Sequence, residues 1–427
     1  MDPADLPLPP LRRSLEAAPM DHEGEPMFLL RDLEGLTPKA VALAPGGMLI
    51  ASLMDGKRTA SEIAALFNKS AGASLDADLV AKLAAELASA ELLETPHTAK
   101  LREKALRDFK ASSTRKAFHQ DAAYPSDLLE LAKTFGSYYK DPKGPREELA
   151  AQPSAPPALG LFAPHIDFPR GGPTYAWAYQ ALSKTAPPDL IVALGVAHMA
   201  PNSPWVPTRK AYETPYGPMA VDAALYDEVK KAIWYDPLED EWVHRMEHSL
   251  EFQAVWLKHV WRDKTPAWLP ILVSPFERFC PDKPPSTVET VEGALRRVGG
   301  ALKSRADAGA RILFLAGVDL AHVGPRFGDD EMPGPEMEGR IEKEDRRSLD
   351  LALALKADDF YLSVVEGGSW RKVCGLSAVY TALRWMEAVS GGRASGHLLS
   401  YGQAGDPMGG IVSFAAAIFA QGGSPCL

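Results

Sequence analysis

Three histidines in the second half of the chain each close an apolar run. The runs are Leu159-Gly-Leu-Phe-Ala-Pro-His165, Leu190-Ile-Val-Ala-Leu-Gly-Val-Ala-His198 and Ile312-Leu-Phe-Leu-Ala-Gly-Val-Asp319-Leu-Ala-His322. Neutral imidazoles ligate zinc, copper and iron, so three of them carried to one place would make a metal site. Cys374, in Lys372-Val-Cys-Gly375, precedes a helix-prone segment, and a helix N-terminus favours the thiolate. A thiolate added to imidazoles gives a soft to borderline donor set. Asp319 lies three residues before His322, where a carboxylate would fix the ring tautomer and raise its basicity. That arrangement suits a proton-handling pair. Taken alone, each of these is better read as a structural histidine or a buried apolar cysteine. Recurrence at equivalent places is what argues for a site.

A rival pattern is His244-Arg-Met-Glu247-His248, the H-x-x-E-H arrangement of inverted zinc peptidases. There two histidines on one helical turn bind zinc, the glutamate is the base, and a downstream residue such as Glu251 is the third ligand. Pro237 upstream and Ser249 downstream, however, predict a helix that starts near His248. His244 then falls in a loop, and Glu247, His248 and Glu251 are expected to face the cleft or a partner charge.

These residues need elements that make them converge. A short, continuous apolar run reads as a strand buried on both faces, and open parallel sheets bind ligands just beyond the carboxyl ends of such strands. Further strands are predicted at 269–273, 397–401 and 410–418, with helices at 173–183, 221–233, 249–261, 288–308, 342–355 and 376–389. This alternation predicts an α/β fold with a mainly parallel central sheet flanked by helices.

The first hundred residues read as a separate, winged-helix-like α+β domain. Met54-Asp-Gly-Lys-Arg58 holds a turn, and Thr59-Ala-Ser-Glu62 has capping-box spacing. Ile63, Leu66 and Phe67 are placed on one helical face, and Leu75, Leu79, Leu83 and Leu87 mark a second helix. The expected divisions are 1–96 for this domain, 97–113 for a basic linker helix and 114–422 for the α/β domain, with a linker signal at Ala150-Ala-Gln-Pro-Ser-Ala-Pro-Pro157.

Composition narrows the function. The net charge of −10 repels phosphate backbones and argues against a nucleic-acid partner. Acidic residues also outnumber basic ones in the first domain, which disfavours DNA contact there. The opening Met1-Asp-Pro-Ala-Asp-Leu-Pro has no apolar stretch suited to a signal peptide or a membrane span, so a cytoplasmic protein with no membrane partner is expected. Cys280, Cys374 and Cys426 are too few and too scattered for a disulfide framework.

In their order, Ala163-Pro-His165, Gly195-Val-Ala-His198, Glu247-His-Ser-Leu-Glu251, Asp319-Leu-Ala-His322, Cys374-Gly375 and Ile411-Val-Ser-Phe-Ala-Ala416 resemble the Memo family. Its fold is similar to that of the class III extradiol ring-cleaving dioxygenases. The likeness spans residues 114–420 and opens near Arg115-Lys-Ala-Phe-His-Gln-Asp-Ala-Ala-Tyr124. It implies that His165, His198 and Cys374 are metal ligands, and that His322, Asp319 and His248 line the same pocket on its catalytic side. After His165 the chain departs from the family pattern, with Ile166-Asp-Phe-Pro-Arg-Gly-Gly172, so Asp167 or Arg170 is expected to offer a substrate a charge, beside Glu247 and Glu251. A thiolate stands where the dioxygenase iron triad has a carboxylate, which softens the site. Around Asp55-Gly-Lys-Arg-Thr59 the first domain resembles small peptide-recognition domains that present precursor peptides to modifying enzymes. Family association implies an AmmeMemoRadiSam-type setting, with a radical S-adenosylmethionine protein as partner.

The leading expectation is a metal-dependent redox protein, dioxygenase-like, that binds iron or copper, with zinc as an alternative, and acts on a small molecule or a peptide. A non-catalytic peptide- or protein-binding module using the same cleft comes second. A zinc peptidase at His244, Glu247 and His248 comes third.

Overall fold

The computed structural model describes residues 6–72, 74–281, 283–406 and 409–422; Cys426 lies outside them. Backbone contacts divide the chain into two compact units, Met1–Ala111 and Ser112–Leu427.

In the first unit, β1 (Leu15–His22), β2 (Glu25–Asp32) and β3 (Ala40–Leu43) form an antiparallel sheet in that order. Four helices follow: α1 (Pro45–Ser52), α2 (Ala60–Ala71), α3 (Ala77–Ser89) and α4 (Pro96–Ala111). The capping box forms at α2, where Thr59 Oγ1 accepts from the Glu62 N–H at 3.2 Å and Glu62 Oε2 accepts from the Thr59 N–H at 2.9 Å. Ala60, Ile63 and Ala64 of α2 pack with Val80, Ala84 and Leu87 of α3 over Leu30 and Val41. Leu66 and Leu79 instead face solvent, because the buried stripe keeps the i, i+3, i+4 rows of Ala60 and Val80 and both leucines fall outside it. The basic stretch is α4. Its Arg102 donates to Glu34 at 2.8 Å and to Glu94 at 3.1 Å, which ties the helix into this unit.

In the second unit, β4 (Thr114–Arg115) and α5 (Leu128–Lys140) lead into β5 (Gly160–Ala163), α6 (Phe168–Ser183) and β6 (Leu190–Val196). Then come β7 (Trp205–Pro207), β8 (Ala211–Tyr212), α7 (Ala223–Ala232), α8 (His248–Trp261), β9 (Trp268–Val273) and α9 (Glu289–Asp307). The unit continues through β10 (Ile312–Gly317), β11 (Asp319–Val323), α10 (Pro335–Leu353), α11 (Ala357–Val365), α12 (Leu376–Ser390), β12 (Ala394–Asp406) and β13 (Gly410–Gln421). β5, β10, β6 and β9 are parallel neighbours at the centre of a sheet with eight strands among the described residues. Every residue of these four strands is buried, which is why they read as unbroken apolar runs. The edges are antiparallel: β11, β12 and β13 on one side, β7 on the other. The sheet is therefore mixed around a parallel centre.

Alternate side chains of the central strands feed two cores. Val192 and Leu194 pack with Leu383 of α12 and Leu295 of α9, whereas Ile191 and Ala193 pack with Leu250 of α8 and Leu182 of α6. Hence α8 and α12 lie on opposite faces of the sheet. Two glycines let α8 approach closely. A Cβ on Gly317 would stand 2.6 Å from the Ser249 carbonyl oxygen, and one on Gly195 would stand 2.6 Å from Leu250 Cγ. Among the described residues no helix is long and apolar enough to cross a membrane.

Candidate metal centre

His165 follows β5, His198 follows β6 and His248 is the first residue of α8. One ligand atom from each comes within 4.8 Å of the other two. The three rings form a near-equilateral set, with centroids 5.1 Å apart for His165 and His198, 5.2 Å for His165 and His248, and 4.9 Å for His198 and His248. Their orientations are fixed by the surrounding backbone and carboxylates. His165 Nδ1 donates to the Gly317 carbonyl at 2.9 Å, which turns Nε2 inward. His198 Nδ1 donates to Glu247, with its oxygens at 2.9 and 3.0 Å, and the His198 N–H donates to the same carboxylate at 3.1 Å. Glu247 also caps α8 by accepting from the Ser249 N–H at 2.9 Å. Outer carboxylate and carbonyl partners of this kind select the nitrogen an imidazole presents to a metal.

Cys374 reaches the same place from the other face of the sheet, just before α12. Its Sγ lies 3.4 Å from His165 Nε2 and 3.7 Å from the Asp319 carbonyl oxygen. Burial raises the thiol, but His165 and His322, with hydrogen bonds from His165 and His198, outweigh it and bring the thiol down to about 5. Burial likewise opposes charge on His165, yet the Asp319 carboxylate and Cys374 raise it to about 9. His198 is raised by Glu247 against burial, and Glu247 is lowered by His198 against its own burial. His248 is pushed down, chiefly by burial. The loop before Cys374 is anchored by buried Arg371, which donates to Asp345 at 2.7 Å and to the Ser363 carbonyl at 3.0 Å. Gly375 admits the close approach of this loop, since a Cβ there would stand 2.6 Å from the Asp319 carbonyl oxygen.

The Asp319 carboxylate, expected beside His322, serves His165 instead. Its Oδ1 accepts from the His165 N–H at 2.9 Å and its Oδ2 lies 3.6 Å from His165 Nε2. The segment is a strand with a register shift between Asp319 and His322, where three steps on β11 match two on β13, so the extra residue breaks the plain alternation of faces. His322 Nδ1 donates to the Leu320 carbonyl at 3.1 Å, and its ring meets Phe327 edge-on.

His244 is not part of the cluster. It sits in a 3-10 turn, Glu241–Arg245, fully buried, with Nδ1 accepting from Tyr212 Oη at 2.7 Å and Nε2 donating to the Val206 carbonyl at 2.6 Å. Burial pushes it down to about 3. With both nitrogens committed and no helical turn shared with His248, the peptidase arrangement does not form. Glu251 is buried as well. It accepts from Arg115, Tyr124 Oη and the N–H groups of Phe118 and His119, so its carboxylate is held by groups of the chain itself. Arg115 also donates to the carbonyls of His244 at 2.9 Å and Glu247 at 2.7 Å, so β4 clamps the entry to α8. Asp167 caps α6 and pairs with Arg170, whose Nη1 reaches Asp406 at 3.1 Å. His119, which sequence reasoning did not single out, lies edge-on to His248 with centroids 5.7 Å apart. Its place in the Arg115–Tyr124 stretch carried no ligand-like spacing.

Comparison with known proteins follows the same boundaries. The family model described as Memo-like protein matches residues 115–418. A MEMO1 family protein of Aquifex aeolicus is 25% identical over 394 residues, 92% of this chain and 96% of that one. That span takes in most of the first unit as well as the second. MEMO1 family protein MmarC6_1286 of Methanococcus maripaludis is 25% identical over 285 residues, which is 90% of its own length but 66% of this chain. MEMO1 family protein TTHA0924 of Thermus thermophilus is 31% identical over 169 residues, 40% of this chain and 45% of that one.

Proposed function

The chain belongs to the Memo family, and from that premise we propose that it is a metal-dependent redox protein holding iron or copper at His165, His198 and Cys374. The observation that carries this reading is the donor set: two strand-end imidazoles whose Nδ1 atoms are committed elsewhere, beside a thiol lowered to about 5. Such donors fit copper, iron or zinc. A bound iron or copper ion would supply one-electron chemistry and positions for O2 or a small organic ligand.

The chain's own residues do the rest. Asp319 and the Gly317 carbonyl hold His165, and Glu247 holds His198, so neither ring has to reorganise when a ligand arrives. The N-termini of α8 and α12 both point at the site, and their partial positive charges favour an anionic ligand there. His322, half-buried and near enough to lower the Cys374 thiol, is the group placed to accept or return a proton at the site. Asp167, Arg170 and Asp406 form a charged cluster two residues beyond His165, where a polar substrate group would be held. On this reading the first unit recruits a peptide substrate.

Elemental analysis of the full-length protein, purified anaerobically under reducing conditions, tests the proposal. Stoichiometric iron or copper that falls on His165→Ala and on Cys374→Ala is expected. Metal retained in full by both variants overturns it.

A further inference from the structure

We infer that His248 is a fourth metal donor, recruited by ions that require four ligands and left idle by ions satisfied with three. The inference rests on the metal site proposed above and adds a residue outside that site's ligand set. His165 and His198 stand at the carboxyl edge of the sheet, between the two faces. Cys374 reaches them from the α12 face and His248 from the α8 face. A donor on each side of a shared pair is the start of a tetrahedron.

Distances agree with this. Bonds of about 2.0–2.3 Å give a tetrahedron with edges of roughly 3.5 Å. Cys374 Sγ and His165 Nε2 are already 3.4 Å apart. The imidazole donor atoms of His165, His198 and His248 are no more than 4.8 Å from one another. A small rotation of the His248 ring, with His165 and His198 held in place, would narrow that spread. The nearest polar partner of His248 is Glu247, at 3.3 Å, and its other ring contacts are His165, His198, His119 and Phe252. Unlike His244, it shows among the described residues no pair of hydrogen bonds that would commit both nitrogens. Glu247 touches His198 and His248 together, so one carboxylate orients both donors on the α8 side.

The consequence is selectivity. Zinc and cobalt(II) favour tetrahedral four-coordination, and a fourth protein donor in place of water closes the site. Copper(I) is satisfied by fewer, softer donors, so His165, His198 and Cys374 suffice. His248 would then separate a closed, inert form from one that keeps a position open for a ligand.

The test uses the full-length, metal-free protein as wild type and as His248→Gln, His248→Asn and Cys374→Ser. Cobalt(II) and copper(I) serve as probes, with affinities from chelator competition and cobalt coordination from absorption spectra. Two substitutions at the first residue of α8 keep the result readable if one of them fails to fold, which thermal melting of the metal-free forms reports. Either His248 variant should weaken cobalt(II) by about tenfold or more and change its spectrum, while copper(I) stays within about threefold of wild type. Unchanged cobalt(II) affinity and spectrum overturn the inference, and so does an equal loss of both ions. Wild-type protein that takes up neither ion instead removes the metal site itself, and this inference with it.

Discussion

In the metal-free, reduced protein, alkylation of Cys374 by iodoacetamide should follow a pH profile that levels off above about 5, instead of above the usual 9. Burial alone would push the thiol the other way. The shift comes from His165 and His322, with hydrogen bonds from His165 and His198, and it has a consequence that a single rate would hide. At pH 7 the thiolate is about 100-fold more abundant than for an ordinary thiol. Over the same interval the intrinsic nucleophilicity of the sulfur falls by about 40- to 100-fold. The two effects nearly cancel at neutrality. At pH 5.5, however, about three-quarters of Cys374 is ionised against about 0.03% of an ordinary thiol, which leaves Cys374 about 25- to 60-fold faster. Above about pH 7.4 the order reverses. Timed quenching and mass spectrometry of the Cys374 peptide give the profile; Cys426→Ser removes one competitor, and Cys280 is buried and pushed up to about 11. Restricted access lowers every rate together without moving the plateau. A rate still climbing about tenfold per pH unit between 6 and 8 would refute the imidazole-stabilised thiolate.

Other outcomes follow from the same contacts. His165 and His198 are both raised yet must be neutral to bind a metal, so affinity should climb as pH rises toward about 9. Proton release on metal uptake at pH 7, measured by calorimetry in buffers of different ionisation enthalpy, checks this; no release contradicts it. Glu247→Gln removes the charge that orients His198 and should weaken metal binding by about 10- to 100-fold in chelator competition. His244→Ala leaves Tyr212 Oη and the Val206 carbonyl unpaired and should cost about 2–4 kcal/mol in urea unfolding, with metal content unchanged. Arg115→Met strands the buried Glu251 carboxylate and should destabilise by about 3–5 kcal/mol in the same assay.

The centre of the fold was readable because its physics is local. Leu190–Val196 and Ile312–Gly317 are buried on both faces and therefore unbroken in sequence, and the start of α8 at His248 follows from the proline and serine around it. The edge of the sheet was less readable. β11 is five residues long, too short for its alternation to distinguish a strand from a turn, so nothing local announced that the Asp319 carboxylate meets His165. Side-chain partnerships were the least readable, because they join distant segments. Arg115 meets Glu251 across 136 positions and His198 meets Glu247 across 49. No local pattern distinguishes a glutamate neutralised in this way from one that faces a substrate. The residue types at the site, by contrast, were visible in sequence. His165, His198 and His248 come together and Cys374 Sγ lies 3.4 Å from His165 Nε2, but the partners of Glu247 and Glu251 could only be read in three dimensions.

The most direct test is anomalous diffraction at the copper and iron edges from crystals of metal-loaded protein. A peak within bonding distance of Nε2 of both His165 and His198, with Cys374 Sγ beside it, is the predicted result. A peak elsewhere, or none at either edge in crystals that retain stoichiometric metal, would contradict the metal centre.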